Sequence, residues 1–280
     1  MPLTARRGAT VVELVVALGL FGVLSLAVVG VLRRLEDSYR AQTQQIDRRQ
    51  TLRVAAAFLP AELRELDARD GDLVAMQPTA ITIRAPRQLA VLCRGVAAGP
   101  GGITTVVLRD APRYGLRDFD PDTDSLWLFS EGLSPTPEDD HWIRGKVVSI
   151  GSASCDDGRP GTRLTTALAA AEAVSRGAPV LGFEPITYRL YRSSEDGRWY
   201  VGQQTATDFQ PVLGPVTTNG LAFAYFDSSG AVTADPSRVS VIEVRVRAAT
   251  NEPIRDGNGR LGRPVDSLVT IVALRNNRRR

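Results

Sequence analysis

The sequence predicts an α+β chain, with one long N-terminal helix followed by a large antiparallel β-rich globular head. Three observations carry this. Residues 14–32 form an uncharged run, mostly Leu, Val, Ala and Gly, in which Ser25 is the only polar side chain. Apolar residues then recur at roughly helical spacing, among Arg, Gln and Asp, to about residue 59. From residue 73 the texture changes to short β-rich runs separated by Gly, Pro and Asp.

The apolar run holds 19 residues, and at the α-helical rise it extends roughly 28 Å, close to the hydrocarbon thickness of a bilayer. In lipid a helix satisfies its own backbone groups, so this stretch is expected to be helical there. A buried core helix is the bland alternative, but such helices are seldom apolar all round for about five turns. A secretory signal would need a small-residue cleavage site after the run, for which Ser25, Ala27 and Gly30 are available. Arg6 and Arg7 before the run are matched by Arg33 and Arg34 after it, so charge does not choose an orientation. Glu13 stands at the head of the run. A carboxylate costs several kcal/mol in hydrocarbon, so it implies a partner. The local alternative is interaction with the positive end of the helix dipole, if the helix starts near Ala9.

Beyond the run, Leu35, Tyr39, Ile46, Leu52, Ala56 and Leu59 make the apolar stripe of a helix from about Thr10 to about Leu59. Its second half is amphipathic and should lie against the head. Pro60 interrupts the pattern, residues 61–69 resume it for a turn or two, and Asp70-Gly71 stops it. Candidate strands follow at 81–83, 89–92, 104–108, 125–129, 142–150, 186–191, 198–202, 221–226, 239–247 and 268–275. Residues 241–247 alternate most clearly, Val and Ile against charge. Asp227-Ser228-Ser229-Gly230 is a turn signal. Residues 165–176, rich in Ala, read as one short helix, and helices this few leave antiparallel pairing as the default.

Composition bounds the chemistry. With 280 residues, 43% hydrophobic and 23% charged, the chain past the helix suffices for one sizeable domain or two small ones. A net charge of +3, with Lys146 the only lysine, gives no case for nucleic-acid binding. His141, the only histidine, lies beside Asp139, Asp140 and Trp142, but no Gly-x-Ser-x-Gly elbow accompanies it, and the residue reads as surface. Asp118, Asp120, Asp122 and Asp124 form a carboxylate ladder, with Glu131 twelfth when Asp120 is counted first. Oxygen ligands at this spacing suit calcium. Against this, Ser125 stands at the sixth position, where the sharp turn wants Gly, and residues 126–129 read as a strand. A solvated acidic turn is the competing reading. The terminal Arg278, Arg279 and Arg280 read as solvated.

The N-terminal arrangement resembles the class III signal of type IV pilin-like proteins. Arg6-Arg7 forms a basic leader, Gly8 stands before the cut, Ala9 becomes the first mature residue, and Glu13 falls fifth, ahead of the apolar helix. In the second half, residues 186–190, 198–200, 214–216, 221–227 and 268–276 look like the succession of elements in J-type minor pseudopilins of type II secretion and W-type minor pilins of type IV pili. The resemblance implies a pilin-like fold divided into a prepilin leader (1–8), a transmembrane and assembly helix (9–32), an amphipathic continuation (33–69) and a β-rich periplasmic head (70–280). It also implies cleavage by a prepilin peptidase after Gly8, N-methylation of Ala9, and a register contact in the filament made by Glu13. The expected partners are other minor and major pilins or pseudopilins, an inner-membrane assembly platform and membrane lipid. The expected place is the bacterial inner membrane, single-pass, and the chain is expected to be neither an enzyme nor a cofactor binder. Two departures stand out: Ala9 replaces the usual Phe or Met, and mature position 22, often Pro in major pilins, is Gly30. Cleavage would leave 32 basic against 31 acidic side chains, a net +1. In the exported compartment so implied, Cys93 and Cys155 are expected to pair across a loop of about 60 residues, the alternative being two unrelated buried thiols. The rivals from other classes are a membrane-anchored exported binding protein or hydrolase with a plain N-terminal anchor, and a surface adhesin working through its loops.

Overall fold

A computed structural model describes residues 10–97, 102–115, 117–132, 139–168, 173–255 and 260–274. It opens with one helix, α1 (Val11–Arg64). The strands of the first half are β1 (Leu73–Gln77), β2 (Ala80–Arg94), β3 (Gly102–Arg109), β4 (Tyr114–Gly115), β5 (Ser125–Ser130), β6 (His141–Ser154) and β7 (Pro160–Leu168). Those of the second are β8 (Pro179–Arg192), β9 (Trp199–Gln204), β10 (Phe209–Phe226), β11 (Val241–Ala249), β12 (Ile254–Arg255), β13 (Leu261–Gly262) and β14 (Val265–Ala273). Every ladder between them is antiparallel.

The two long strands β2 and β8 pair from Ala80↔Arg189 to Val91↔Pro179 and organise everything else. At one end they belong to an open sheet in the order β1-β2-β8-β9-β10-β11-β14. At the other end the pairings close on themselves, from β2 through β3, β7, β6 and β5 back to β8, which makes a six-stranded barrel. Each lobe has its own core. The barrel is filled by Leu92, Leu108, Leu126, Leu128, Val147, Leu164 and Val180, with Phe119 added from a loop. The open sheet packs Ile81, Ile83, Ile186, Tyr188, Leu221, Ile242 and Val244 against Ala55, Leu59 and Leu63 of α1.

One strand can serve two cores because its side-chain parity changes. Along β2, Ile81, Ile83 and Ala85 face the helix-covered core, whereas Ala90 and Leu92 face the barrel. The register against β8 shifts between Pro86 and Gln88, leaving Arg87 as the extra residue of a bulge. A bulge flips the face that later residues occupy and re-aims the residue within it. Pro86, which cannot donate to a ladder, sits at the break.

Several expectations change. Helix α1 runs through the buried Pro60 to Arg64. Proline removes one helical hydrogen bond, and the buried Leu59 and Leu63 on either side of it hold the helix to the sheet. The buried stripe is Arg48, Ala55, Leu59 and Leu63, with Leu52 partly buried. Ala56 points out, and Leu35, Tyr39 and Ile46 are 61%, 72% and 61% exposed, so docking starts near Arg48 and not at residue 33. Residues 165–168 are strand, because Leu164, Thr166 and Leu168 alternate inward with period two. That overturns the short helix expected there, whose residues 169–172 lie outside the described ones. Position 174 forms an isolated bridge with Val96.

Candidate functional site

The first half of α1 packs against no other element among the described residues. Its apolar side chains, from Val11 through Leu32, are all exposed. The helix is long and apolar enough to cross a membrane, with a mean hydropathy of 2.7 over its best window and 0% of that window buried. Residues 11–40 would extend roughly 45 Å at the helical rise. A Cβ placed on Gly19, Gly22 or Gly30 would meet nothing within 4 Å beyond its chain neighbours and the adjacent helical backbone, so these glycines leave bare backbone on the helix surface.

Local chemistry fixes where this helix starts. Thr10 is the N-cap, and Glu13 stands three residues on, forming a capping box. The Thr10 N–H donates to Glu13 Oε2 at 2.8 Å, and the Glu13 N–H donates to Thr10 Oγ1 at 3.3 Å. Two backbone donors that the helix cannot satisfy are thereby covered, and the carboxylate lies at the positive end of the dipole. Gly8 and Ala9, the expected cleavage and methylation positions, lie outside the described residues, as do Arg278, Arg279 and Arg280.

Cys93 and Cys155 are joined in a disulfide, their Cα atoms 5.2 Å apart. The bond ties the end of β2 to the turn after β6 and packs on Val107. Of the two readings of the carboxylate ladder, the contacts are those of a turn. Asp124 is buried and faces Arg117, whose Nη1 and Nη2 donate to its two oxygens at 2.7 and 2.6 Å. Asp124 also accepts the Asp120 N–H at 2.8 Å, while Asp120 accepts from the Asp122 N–H at 2.9 Å. These carboxylates build a turn. Glu131 lies past the end of β5, and among the described residues no group of three or more His, Cys, Asp or Glu is placed to hold a metal. His141 begins β6, exposed, with Nδ1 2.8 Å from the Asp139 carbonyl.

Comparisons of the chain with protein-family models, with curated proteins and with solved structures find no match.

One cluster escaped the sequence reading. At the junction of the lobes, charges alternate along a chain from Glu62 on α1 through Arg87 and Glu184 to Arg117 and Asp124. Arg87 Nη1 and Nη2 reach the two Glu62 oxygens at 3.3 Å, and its Nε reaches Glu184 Oε2 at 3.3 Å. Tyr188 donates its hydroxyl to Glu62 at 3.0 Å. Burial, then the Glu62 charge, pushes the Tyr188 pKa well above the ordinary tyrosine range. Burial works against the Arg87 charge, but Glu62 and then Glu184 outweigh it and raise its pKa. The signal for this cluster was an arginine next to proline where alternation breaks, which marks a bulge. Its partners are remote in sequence and were not readable. The cluster clamps α1 to both lobes.

Proposed function

We propose that this chain is a minor pilin or pseudopilin, a structural subunit of a short filament. The observation that carries the reading is a helix half of bilayer length that packs on nothing among the described residues, carries Glu13 in its first turn, and continues without a break into a folded head. On this reading the chain inserts once in the bacterial inner membrane with its head in the periplasm. A prepilin peptidase cuts after Gly8, Ala9 is N-methylated, and the helix docks among those of neighbouring pilins or pseudopilins on an inner-membrane assembly platform. Glu13 then trades its contact with Thr10 for the free amino terminus of a neighbouring subunit. An unpaired carboxylate in hydrocarbon costs about 3 kcal/mol, so that pairing selects one register. The broad two-lobed head is bulky for stacking at every position of a fibre, which suits an initiating or capping place. Neither catalysis nor a cofactor enters this reading.

The capping box favours a second reading, a plain membrane anchor for an exported binding protein, because it gives Glu13 a sufficient local use. Glu13→Gln separates the two. Glutamine at this position still completes a capping box but removes the charge. The filament reading expects wild-type membrane insertion with loss of the subunit from filaments sheared from its own host; the anchor reading expects no change in either. Intact mass and N-terminal peptide mapping of the membrane-extracted protein add an independent check. N-methylated Ala9 is the expected terminus, and an uncut Met1, or a cut after the apolar run, overturns the filament reading.

A further inference from the structure

Strand β14 closes the open sheet: α1 packs on the face that carries Asp266 and Val272, and no described strand lies along its outer edge. Among the described residues it pairs with β11 alone, over nine consecutive positions from Val241↔Ala273 to Ala249↔Val265 and without a register shift. Two hydrogen bonds just beyond its ends fix which of its backbone groups are spoken for. The Leu274 N–H donates to the Ser240 carbonyl, and the Pro264 carbonyl accepts from the Thr250 N–H. Even-numbered residues therefore bond to β11. Residues 265, 267, 269, 271 and 273 turn their N–H and C=O groups away from the sheet, where they meet no further strand among the described residues.

Natural edges are usually blunted by proline, lysine, a bulge or an inward charge. Within β14 there is neither proline nor lysine, and its ladder has no bulge. The one charge, Asp266, is already paired with the buried Arg48 at 2.8 Å. The outward row is uncharged: Val265, Ser267, Val269, Ile271 and Ala273, with Ile271 68% exposed. The surrounding charge is basic. Arg247 lies across from Ser267 and Arg245 across from Val269, and Arg263 stands exposed two residues before the strand. Glu243 answers Arg245 at 3.0 Å, whereas Arg247 and Arg263 make no ion pair among the described residues.

We infer that β14 receives an added β-strand from a separate protein, an extended segment with apolar β-branched residues at alternate positions and acidic residues at its ends. The ladder groups would supply binding, the Val265–Val269–Ile271 row would select alternate side chains, and the arginines would select the flanking charge. A second copy of this chain is disfavoured, because self-pairing brings the same basic groups together. The inference rests on the sheet and stands whether or not the helix assembles into a filament.

The test uses the full chain in detergent micelles and a fluorescein-labelled peptide of alternating Val and Thr with a Glu pair at each end, read by anisotropy. Val269→Pro is the informative variant. Its lost N–H points outward, so the β11 ladder survives and the urea midpoint should hold, whereas Thr270→Pro removes a ladder bond and should lower it. The expected result is binding of the peptide, weakened roughly tenfold or more by Val269→Pro and by exchanging the Glu pairs for Lys. Failure of the peptide to bind, equal binding by Val269→Pro, or indifference to the terminal charge would overturn the inference. So would a wild-type dimer in sedimentation that Val269→Pro dissolves, since the occupant would then be a second copy.

Discussion

Arg87 offers the sharpest test of how the two lobes and the helix are held together. It is 9% exposed and serves two carboxylates, Glu62 on α1 and Glu184 on β8. Replacing it with Met keeps much of the volume and removes the charge. Stranding a buried charge by deleting its partner typically costs about 3–5 kcal/mol. Here each carboxylate keeps a second partner: Glu62 retains the Tyr188 hydroxyl at 3.0 Å and Glu184 retains Arg117 at 3.1 Å. The expected loss is therefore smaller, about 2–3 kcal/mol. A second change identifies the cause. Adding Glu62→Gln to Arg87→Met removes the stranded charge on the helix and should recover about 1–2 kcal/mol, although Glu62→Gln alone destabilises. Urea unfolding of the full chain in detergent, followed by tryptophan fluorescence, measures all four corners of this cycle. A loss below about 0.5 kcal/mol for Arg87→Met, or a double variant no more stable than the single, would refute the view that charge pairing clamps the helix.

Two further outcomes follow from the head. Reducing Cys93–Cys155, or replacing both with Ser, frees a segment spanning 62 positions and should cost about 4 kcal/mol by the loop-entropy relation; an unchanged urea midpoint after reduction would contradict it. Acid should destabilise the head as well. Asp227 is held below the usual carboxylate range by the Ser229 hydroxyl and N–H, Asp235 by the Ser237 hydroxyl and N–H, and Asp196 by the Tyr200 hydroxyl and then the Arg198 N–H. A carboxyl whose folded pKa is depressed stabilises the fold above its unfolded value, near 3.9, and loses that contribution as pH falls through the folded value. The urea midpoint should hold steady above about pH 5 and drop below about pH 4, and Asp227→Asn should flatten the drop.

What could be read from the sequence, and what could not, divides along a physical line. The membrane-length run was legible because nineteen uncharged residues in a row leave few other uses. Strand β11 was legible because Ile242, Val244 and Val246 alternate with charge, and all three are buried. The docked segment of α1 was misjudged because Leu35 and Tyr39 satisfy helical spacing whether or not a sheet lies beneath them. Helical spacing also placed Ala56 inward, where Ala55 is the buried residue. The short helix at residues 165–176 failed because alanine content outweighed a period-two pattern in Leu164, Thr166 and Leu168. The acidic ladder stayed open between a cation loop and an acidic turn because spacing cannot reveal that Arg117 bends back onto Asp124.

The same geometry explains why an exposed helix and a buried clamp belong in one molecule. Leu59 and Leu63 are 0% exposed, and Glu62 between them is pinned to Arg87. The final turns of α1 therefore cannot roll or slide on the sheet without breaking apolar and ionic contacts together. Helix α1 continues unbroken from Val11 to Arg64, so whatever surrounds the exposed half also sets the position of the head. A loose head would suit a mere tether, for which a flexible linker after the apolar run would suffice. A clamped head suits a subunit whose register in an assembly decides where β14 and the barrel face. Lengthening α1 by a single residue between Ile46 and Arg48 would turn the head by about 100° relative to the exposed half while leaving both lobes folded. If the head's orientation matters, that insertion should abolish assembly as completely as Glu13→Gln. If the helix is only an anchor, the insertion should be silent.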